Sequence, residues 1–306
     1  MTSKRLLAFA RLLRLPNVFT AFADVCLAAS AAGYITTRPG IFALMLVGSG
    51  CLYLAGMVWN DFFDRHEDAK TRPFRPIPSG QVSVKTAYML GVLLMVIGFG
   101  GIGYAFEQTV PNSPGEKWVF VSPALLIAAI LLYDSWLKRT VFGPEAMGAC
   151  RFLNVLLGVW AGDTGSPLPE FAFHLAAVIG VYIVGITWFA RTEEGTSQRW
   201  QLIAAAALMA IAILLGVTLP VHLVDVQAPF YFPYLLATFG FLIGFPIVTA
   251  IRQPTPRNVQ SAVKRCILGL IVFDAILATV FVGWPGLLIA LLLLPAVLLG
   301  KWVYST

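Results

Sequence analysis

The chain has 306 residues, of which 58% are hydrophobic and 12% are charged, and its mean hydropathy is +0.82. A soluble domain cannot cover that much apolar surface with polar groups, so the composition excludes the soluble classes and predicts an integral membrane protein. The formal net charge of +6 does not call for a nucleic-acid partner, because the cytoplasmic loops of membrane proteins are rich in Lys and Arg.

The amino-terminal 16 residues are basic and precede the first apolar run. They carry Lys4, Arg5, Arg11 and Arg14, and they predict an amphipathic segment at the membrane surface that leads into a first span. If this terminus is cytoplasmic, the loops with most of the other cations also lie in the cytoplasm. We therefore predict a bacterial-type inner membrane protein that also attracts anionic membrane lipid.

Ten apolar runs follow, each close to the ~20 residues that a helix needs to cross a bilayer. They cover residues 17–36, 41–60, 84–105, 119–137, 145–163, 171–190, 200–219, 230–250, 264–283 and 285–304. Only Trp284-Pro285 separates the last two, which become a single span if the helix is merely interrupted there. The pattern predicts an all-α bundle of nine or ten transmembrane helices.

The second run ends in an unusually charged stretch, "NDFFDRHEDAKTRPFRPIPSG", at residues 60–80. If its helix continues through residue 68, four oxygen-bearing side chains share one face. They are Asn60, Asp61, Asp64 and Asp68. Carboxylates at a membrane mouth are typical ligands of Mg²⁺, which uses one or two of them together with substrate phosphates.

Two arginines, Arg72 and Arg75, follow in a loop with three prolines. Guanidinium groups bind phosphate oxygens in fork geometry, so acids followed by arginines favour a site for a metal and a diphosphate. The alternative is a solvated loop whose opposite charges only neutralise each other.

A shorter pattern in the second half is similar to this region. "GMVWNDFFD" (56–64) aligns with "GITWFARTE" (185–193), and the alignment superposes Asp64 on Glu193. This internal similarity predicts two related halves whose acidic ends face each other across one cavity.

The charged stretch resembles the first signature of the UbiA superfamily of intramembrane prenyltransferases, Asn-Asp-x-x-Asp-x-x-x-Asp followed by Arg-Pro-(small)-Pro-Ser-Gly. "RLPNVFT" (14–20), "LLYDSWLKR" (131–139) and "RFLNVLLG" (151–158) look like further motifs of that family. The resemblance implies a single domain over residues 1–306, with its helices around a central cavity. It also implies that Mg²⁺ holds a polyprenyl diphosphate there, and that the prenyl group alkylates a lipophilic, typically aromatic, acceptor in the membrane.

Carried over to this chain, the resemblance assigns Mg²⁺ binding to Asn60 and Mg²⁺ binding with catalysis to Asp61, Asp64 and Asp68. The residues expected to bind substrate are Asn17, Arg72, Arg75, Lys138, Arg139, Arg151, Asn154 and Arg191. A charge within a span, such as Arg151, is costly and favours a role in a site. Pairing with Asp24 or Asp274 is the alternative.

The second acidic motif departs from the family pattern. Where the family has two or three spaced aspartates, this chain has Glu193 and Glu194, with Arg191 close by. Both glutamates are expected to bind metal, and the cation of Arg191 would replace part of a second metal's charge. "WFARTE" and "RFLNVLLG" resemble the EboC-like branch of the superfamily. The depleted motif leaves open a non-catalytic binder or transporter of a prenyl diphosphate or related lipid precursor.

Overall fold

The structure is a computed structural model that describes residues 3–109, 121–162, 170–192, 198–223 and 227–304. These ranges contain helices and no strands. The helices are α1 (Ser3–Leu12), α2 (Val18–Ala31), α3 (Pro39–Thr71), α4 (Val84–Thr109), α5 (Ser122–Ser135), α6 (Gly143–Trp160), α7 (Glu170–Ala190), α8 (Arg199–Thr218), α9 (Phe232–Arg252), α10 (Pro256–Val282) and α11 (Leu293–Tyr304). Short 3-10 turns lie at Leu15–Asn17, Leu137–Arg139, Leu219–His222 and Trp284–Leu292.

The prediction of an all-α bundle is confirmed, and each of the ten predicted runs overlaps one of these helices. Length and composition give a smaller number of spans than nine or ten. Seven helices in the described ranges are long and apolar enough to cross a membrane, or eight if α1 and α2, bent by 47°, count as one. Helix α11 reaches spanning length together with the 3-10 turn before it. Helices α2, α5 and α6 are too short by themselves: their 14 to 18 residues rise only about 21 to 27 Å, less than the ~30 Å hydrocarbon core.

Helix α3 is the longest element and carries the charged stretch. Its 33 residues rise about 50 Å, so one end must project beyond a hydrocarbon core of about 30 Å. The projecting part is the polar carboxyl-terminal end, and the prediction that this helix continues through residue 68 is confirmed.

Glycines allow two pairs of helices to approach closely. A Cβ on Gly98 of α4 would lie 2.9 Å from the carbonyl oxygen of Gly48 in α3, and one on Gly148 of α6 would lie 2.8 Å from that of Gly180 in α7. Larger side chains would force these helices apart. Close backbone packing of this kind is a main source of helix association in membranes.

A small separate core holds the loop after α3 in place. It consists of Ala8, Leu12, Val58, Ile77, Val82 and Ala87, and it therefore joins α1, α3, α4 and the loop. Within the loop, the amide of Ser79 donates to the Arg75 carbonyl at 3.0 Å and that of Val82 donates to the Pro76 carbonyl at 2.9 Å. The loop is thus folded back over the end of α3.

Cation-bearing loops that are distant in sequence meet in the structure. The Arg199 guanidinium donates to the Arg252 carbonyl at 3.1 Å, and Arg191 donates to the Val141 carbonyl at 3.3 Å. These contacts join segments that the distribution of Lys and Arg predicts on one side of the membrane.

Candidate active site

Asp61 and Asp68 of the predicted site both pair with cations, and they lie two turns apart on the same face of α3. An Asp61 oxygen lies 3.2 Å from Arg14 Nη2 and 3.3 Å from Arg75 Nη1. Arg75 Nη1 also donates to Asp68 at 2.7 Å. Both carboxylates are buried, and Arg75 bridges them because the small core folds its loop back over α3.

Asp64 faces a different pair of cations. Lys138 Nζ lies 2.7 Å from one of its oxygens and Arg139 Nη2 lies 3.0 Å from the other. Both cations belong to the 3-10 turn that follows α5, and α5 packs against α3. The structure therefore brings Lys138 and Arg139 to the acidic face of α3.

Arg72 completes the cluster at a longer distance, 3.9 Å from Asp68. We call these residues the mouth cluster: Asp61, Asp64, Asp68, Arg14, Arg72, Arg75, Lys138 and Arg139. Glu67 lies at its edge, 3.8 Å from Arg139. The five cations exceed the four carboxylates, with Glu67 included, which leaves positive charge for an anion with several oxygens, such as a diphosphate.

Sequence reasoning missed Arg14 as a site residue and treated it as a topological cation. Its φ of 44° makes it the single non-glycine residue with positive φ in the described ranges. The chain bends by 47° between α1 and α2 at this point, and the Arg14 side chain reaches Asn60 Oδ1 at 3.3 Å as well as Asp61. Non-glycine residues rarely adopt such a conformation unless surrounding contacts impose it.

Asp134 was also missed. It is buried in α5 and accepts a hydrogen bond from Asn60 Nδ2 at 3.0 Å. An acid inside an apolar run signals a functional or paired position, so "LLYDSWLKR" did contain the clue. Asn60 is held from both sides, since its oxygen faces Arg14 and its amide faces Asp134.

A cavity lies next to the mouth cluster, and its lining includes Met57, one helical turn before Asp61 on α3. It contains about 510 Å³ of empty space, counting its open part, between α2, α3, α5 and α6. Asp134 lies in its wall, as do Ser49, Tyr53, Arg151 and Asn154, and the rest of the lining is mainly apolar. Its position and apolar walls suit a hydrocarbon chain whose charged end remains at the mouth.

Arg151 and Asn154 lie deeper in the bundle than the mouth cluster. Arg151 Nη1 donates to Asp24 at 2.7 Å, and Asn154 Nδ2 donates to the same oxygen at 3.0 Å. Of the two alternatives for Arg151, pairing with Asp24 is therefore present, although its side chain also lines the cavity.

Two predicted residues lie apart from the mouth cluster. Asn17 lines a separate groove with Lys264 and Lys301, where the start of α2 meets α10 and α11. Arg191 donates to the carbonyls of Thr140 and Val141. These residues directly follow the 3-10 turn that contains Lys138 and Arg139, which we call the cationic turn. Glu193 and Glu194 lie outside the described residues.

The donor set of the mouth cluster suits Mg²⁺ only with help from a substrate. Among the described residues, no group of three or more His, Cys, Asp or Glu side chains could hold a metal ion. Mg²⁺ commonly takes one or two carboxylates and completes its coordination with phosphates and water. The oxygens of Asn60 and the α3 acids fit that requirement.

A model of the UbiA prenyltransferase family matches residues 17–268, which include the whole mouth cluster except Arg14. The chain belongs to the UbiA prenyltransferase family. Its long apolar helices and this membership make it an integral membrane protein. The resemblance of the charged stretch to the family's first signature is thereby confirmed at the level of the family.

Curated members differ in how much of their length this chain matches. It is 32% identical over 274 residues to the digeranylgeranylglyceryl phosphate synthase of Saccharolobus solfataricus, covering 83% of this chain and 90% of that protein. It is 32% identical over 146 residues to the protoheme IX farnesyltransferase of Salinispora tropica, covering 45% of this chain. The chain spans 41% of that relative and less than half of several others.

Among solved structures, a UbiA homolog from Archaeoglobus fulgidus bound to GPP and Mg²⁺ has the same fold. The TM-score is 0.57 at 14% sequence identity, over 86% of this chain and 99% of that chain. In that homolog, Mg²⁺ and GPP are bound together.

Proposed function

We propose that this protein is a Mg²⁺-dependent prenyltransferase that moves a polyprenyl group from its diphosphate to a lipophilic acceptor. The observation that carries the proposal is the mouth cluster, an excess of cations over carboxylates, at the entrance to a largely apolar cavity. A diphosphate matches the cluster and a prenyl chain matches the cavity. Residues 1–306 would act as one functional unit.

The side chains would hold the donor in two ways. Asn60, Asp61, Asp64 and Asp68 would hold Mg²⁺ against the diphosphate, and Mg²⁺ would neutralise part of the phosphate charge. The five cations of the mouth cluster would transfer some of their hydrogen bonds from the carboxylates to phosphate oxygens, which form equally short charge-assisted bonds.

The reaction would begin when the allylic C1–O bond breaks and its electron pair leaves with the diphosphate. Negative charge then grows on the leaving group, and cations already in position lower the barrier because they need no reorganisation. The acceptor supplies the electron pair for the new bond to C1 and loses a proton. Tyr53 and the apolar wall exclude water that would otherwise capture the allylic cation.

The role of the second acidic motif is also part of the proposal. Glu193 and Glu194 would contribute to metal binding, while Arg191, beside the cationic turn, would add charge near the diphosphate. The mouth cluster would face the cytoplasm of a bacterial-type inner membrane, as the cation distribution predicts.

A binder or transporter of a prenyl diphosphate is the second candidate. Its support is the shortage of acids in the second motif, where this chain has two adjacent glutamates beside an arginine. Such a protein would hold the donor in the same mouth cluster without breaking the C1–O bond.

The decisive measurement is diphosphate release by the purified protein in lipid nanodiscs, with Mg²⁺, prenyl diphosphates of several lengths and a panel of membrane phenols and glyceryl phosphate lipids. We expect release that requires Mg²⁺ and falls about 100-fold in Asp64→Asn. The variant loses the carboxylate that would bind Mg²⁺ and that holds Lys138 and Arg139 in position. Glu107→Gln, which changes an exposed acid near the end of α4 that lies far from the mouth cluster, is the matched control.

Each other result has a defined meaning. Tight Mg²⁺-dependent binding without release across the whole panel would favour the binder or transporter. Normal donor binding by Asp64→Asn would contradict both candidates. Unchanged release after substitution of both Glu193 and Glu194 by Gln would rule out their metal role.

A further inference from the structure

A second charged cluster lies within the bundle, away from the mouth cluster. It joins Asp24 of α2, Arg151 and Asn154 of α6 and Asp274 of α10. Asp24 and Asp274 are 0% exposed, and Arg151 is 8% exposed. We call these four residues the core cluster. The proposed reaction uses neither aspartate.

One side of the core cluster is well bonded. Arg151 and Asn154 both donate to one Asp24 oxygen, at 2.7 and 3.0 Å. Arg151 also donates to the Thr20 hydroxyl, and the Ser49 hydroxyl donates to Asn154 Oδ1 at 2.7 Å. These bonds fix the two α6 side chains where they line the cavity.

The other side has acceptors without donors. Asp274 interacts with Asp24, since α10 packs against α2. Both Asp274 oxygens and the second Asp24 oxygen, Oδ1, nevertheless have no hydrogen-bond partner. Two ionised carboxylates would place two negative charges against the one cation of Arg151. In an apolar interior, such an unpaired charge with no donor is strongly unfavourable.

Among the described residues, Arg151 is the one cation that interacts with Asp274. The other groups that interact with it electrostatically include Asp24, Cys26 and Tyr182. The Tyr182 hydroxyl donates elsewhere, to the Cys266 carbonyl at 3.0 Å. A single proton between the carboxyl groups would supply the missing donor and make the cluster neutral.

We propose that Asp274 is a protonated, neutral acid that donates its hydrogen bond to Asp24 Oδ1. Asp24 is then the one carboxylate that balances Arg151, and Asp274 acts as a positioning residue that keeps Arg151 and Asn154 on the cavity wall. The proposal does not depend on which reaction the cavity supports.

Infrared spectroscopy tests the proton directly. In nanodiscs at neutral pH, the wild-type spectrum minus that of Asp274→Asn should show a carbonyl band of a protonated carboxylic acid, and this band should shift in D₂O. Asp64→Asn, which removes a carboxylate paired with cations, should leave that band in place. A wild-type minus Asp274→Asn spectrum without the band would overturn the proposal.

Thermal stability gives a second test. Asparagine keeps a donor for Asp24 Oδ1, so Asp274→Asn should melt close to wild type, whereas Asp274→Leu should melt several degrees lower. If Asp274 were ionised, removal of its charge would instead raise the melting temperature of Asp274→Asn clearly. That increase, or equal losses in both variants, would contradict the proposal.

Discussion

The mouth cluster and the core cluster both pair acids with cations, yet they differ in charge balance and in solvation. The mouth cluster has more cations than acids and includes partly exposed side chains, such as Arg139 at 51% and Arg14 at 32%. The core cluster has two acids and one cation, all buried. Because its cations are partly solvated, the mouth cluster can exchange ion-pair partners at little cost in free energy. In the buried core cluster, loss of one partner leaves an uncompensated charge.

The largest expected effect comes from breaking the core cluster. Arg151→Met leaves the Asp24 carboxylate unpaired in an apolar core, and removal of one partner from a buried pair costs about 3–5 kcal/mol. We expect a strong fall in the melting temperature of the protein in nanodiscs. The double variant Asp24→Asn/Arg151→Met should lose less stability than the two single changes added together, and full additivity would show that the pair is not coupled.

A smaller effect on stability and a larger one on binding are expected at the mouth. Arg75→Gln removes the cation that bridges the buried carboxylates of Asp61 and Asp68. Arg14 and Arg72 still pair with them, so we expect a loss in unfolding free energy of about 1–3 kcal/mol. Affinity for geranyl diphosphate should fall roughly 10-fold to 100-fold, because hydrogen bonds to charged groups contribute about 1.5–3 kcal/mol. Calorimetric titration measures this change.

Arg65→Gln is the matched control for that variant. Arg65 lies on the same helix, but its guanidinium donates to the Phe62 carbonyl at 2.7 Å and lies 4.6 Å from the centroid of the Phe62 ring. Its replacement should leave the affinity unchanged. Equal losses in Arg65→Gln and Arg75→Gln would mean that the mouth cluster attracts the diphosphate only through general positive charge.

The smallest effect is the response to salt, which should separate the two clusters. Raising NaCl from about 0.05 to 0.5 M should weaken diphosphate binding several-fold, because exposed charges are screened within ~10 Å or less at such concentrations. The difference in melting temperature between wild type and Arg151→Met should stay the same. A salt-dependent difference would indicate that water reaches the core cluster.

The sequence was most informative where a single helix carries the pattern. The spacing of Asn60, Asp61, Asp64 and Asp68 predicted their shared face, since helical geometry alone determines it. It also predicted cations close to them, because Arg72 and Arg75 follow within a few residues. The all-α class followed in the same way from local runs of apolar residues.

Contacts between distant segments were harder to predict. Arg14 reaches Asp61 across 47 positions only because the chain bends by 47° between α1 and α2. That bend depends on packing, which no local spacing encodes. Asn17, three residues further on, lies in a different groove for the same reason. The positions of Glu193 and Glu194 stay predictions.

Helix α3 links the charged mouth to the cavity as one unbroken element. Asp64 lies near its outer end and Ser49 in the cavity wall, fifteen residues earlier on the same helix, which corresponds to about 22 Å at 1.5 Å per residue. The distance between the leaving group and the inner wall is therefore set by a rigid helix and changes little with loop movements. Under the proposed function, a donor tail longer than the distance from Asp64 to Ser49 must fold back or pass out between helices.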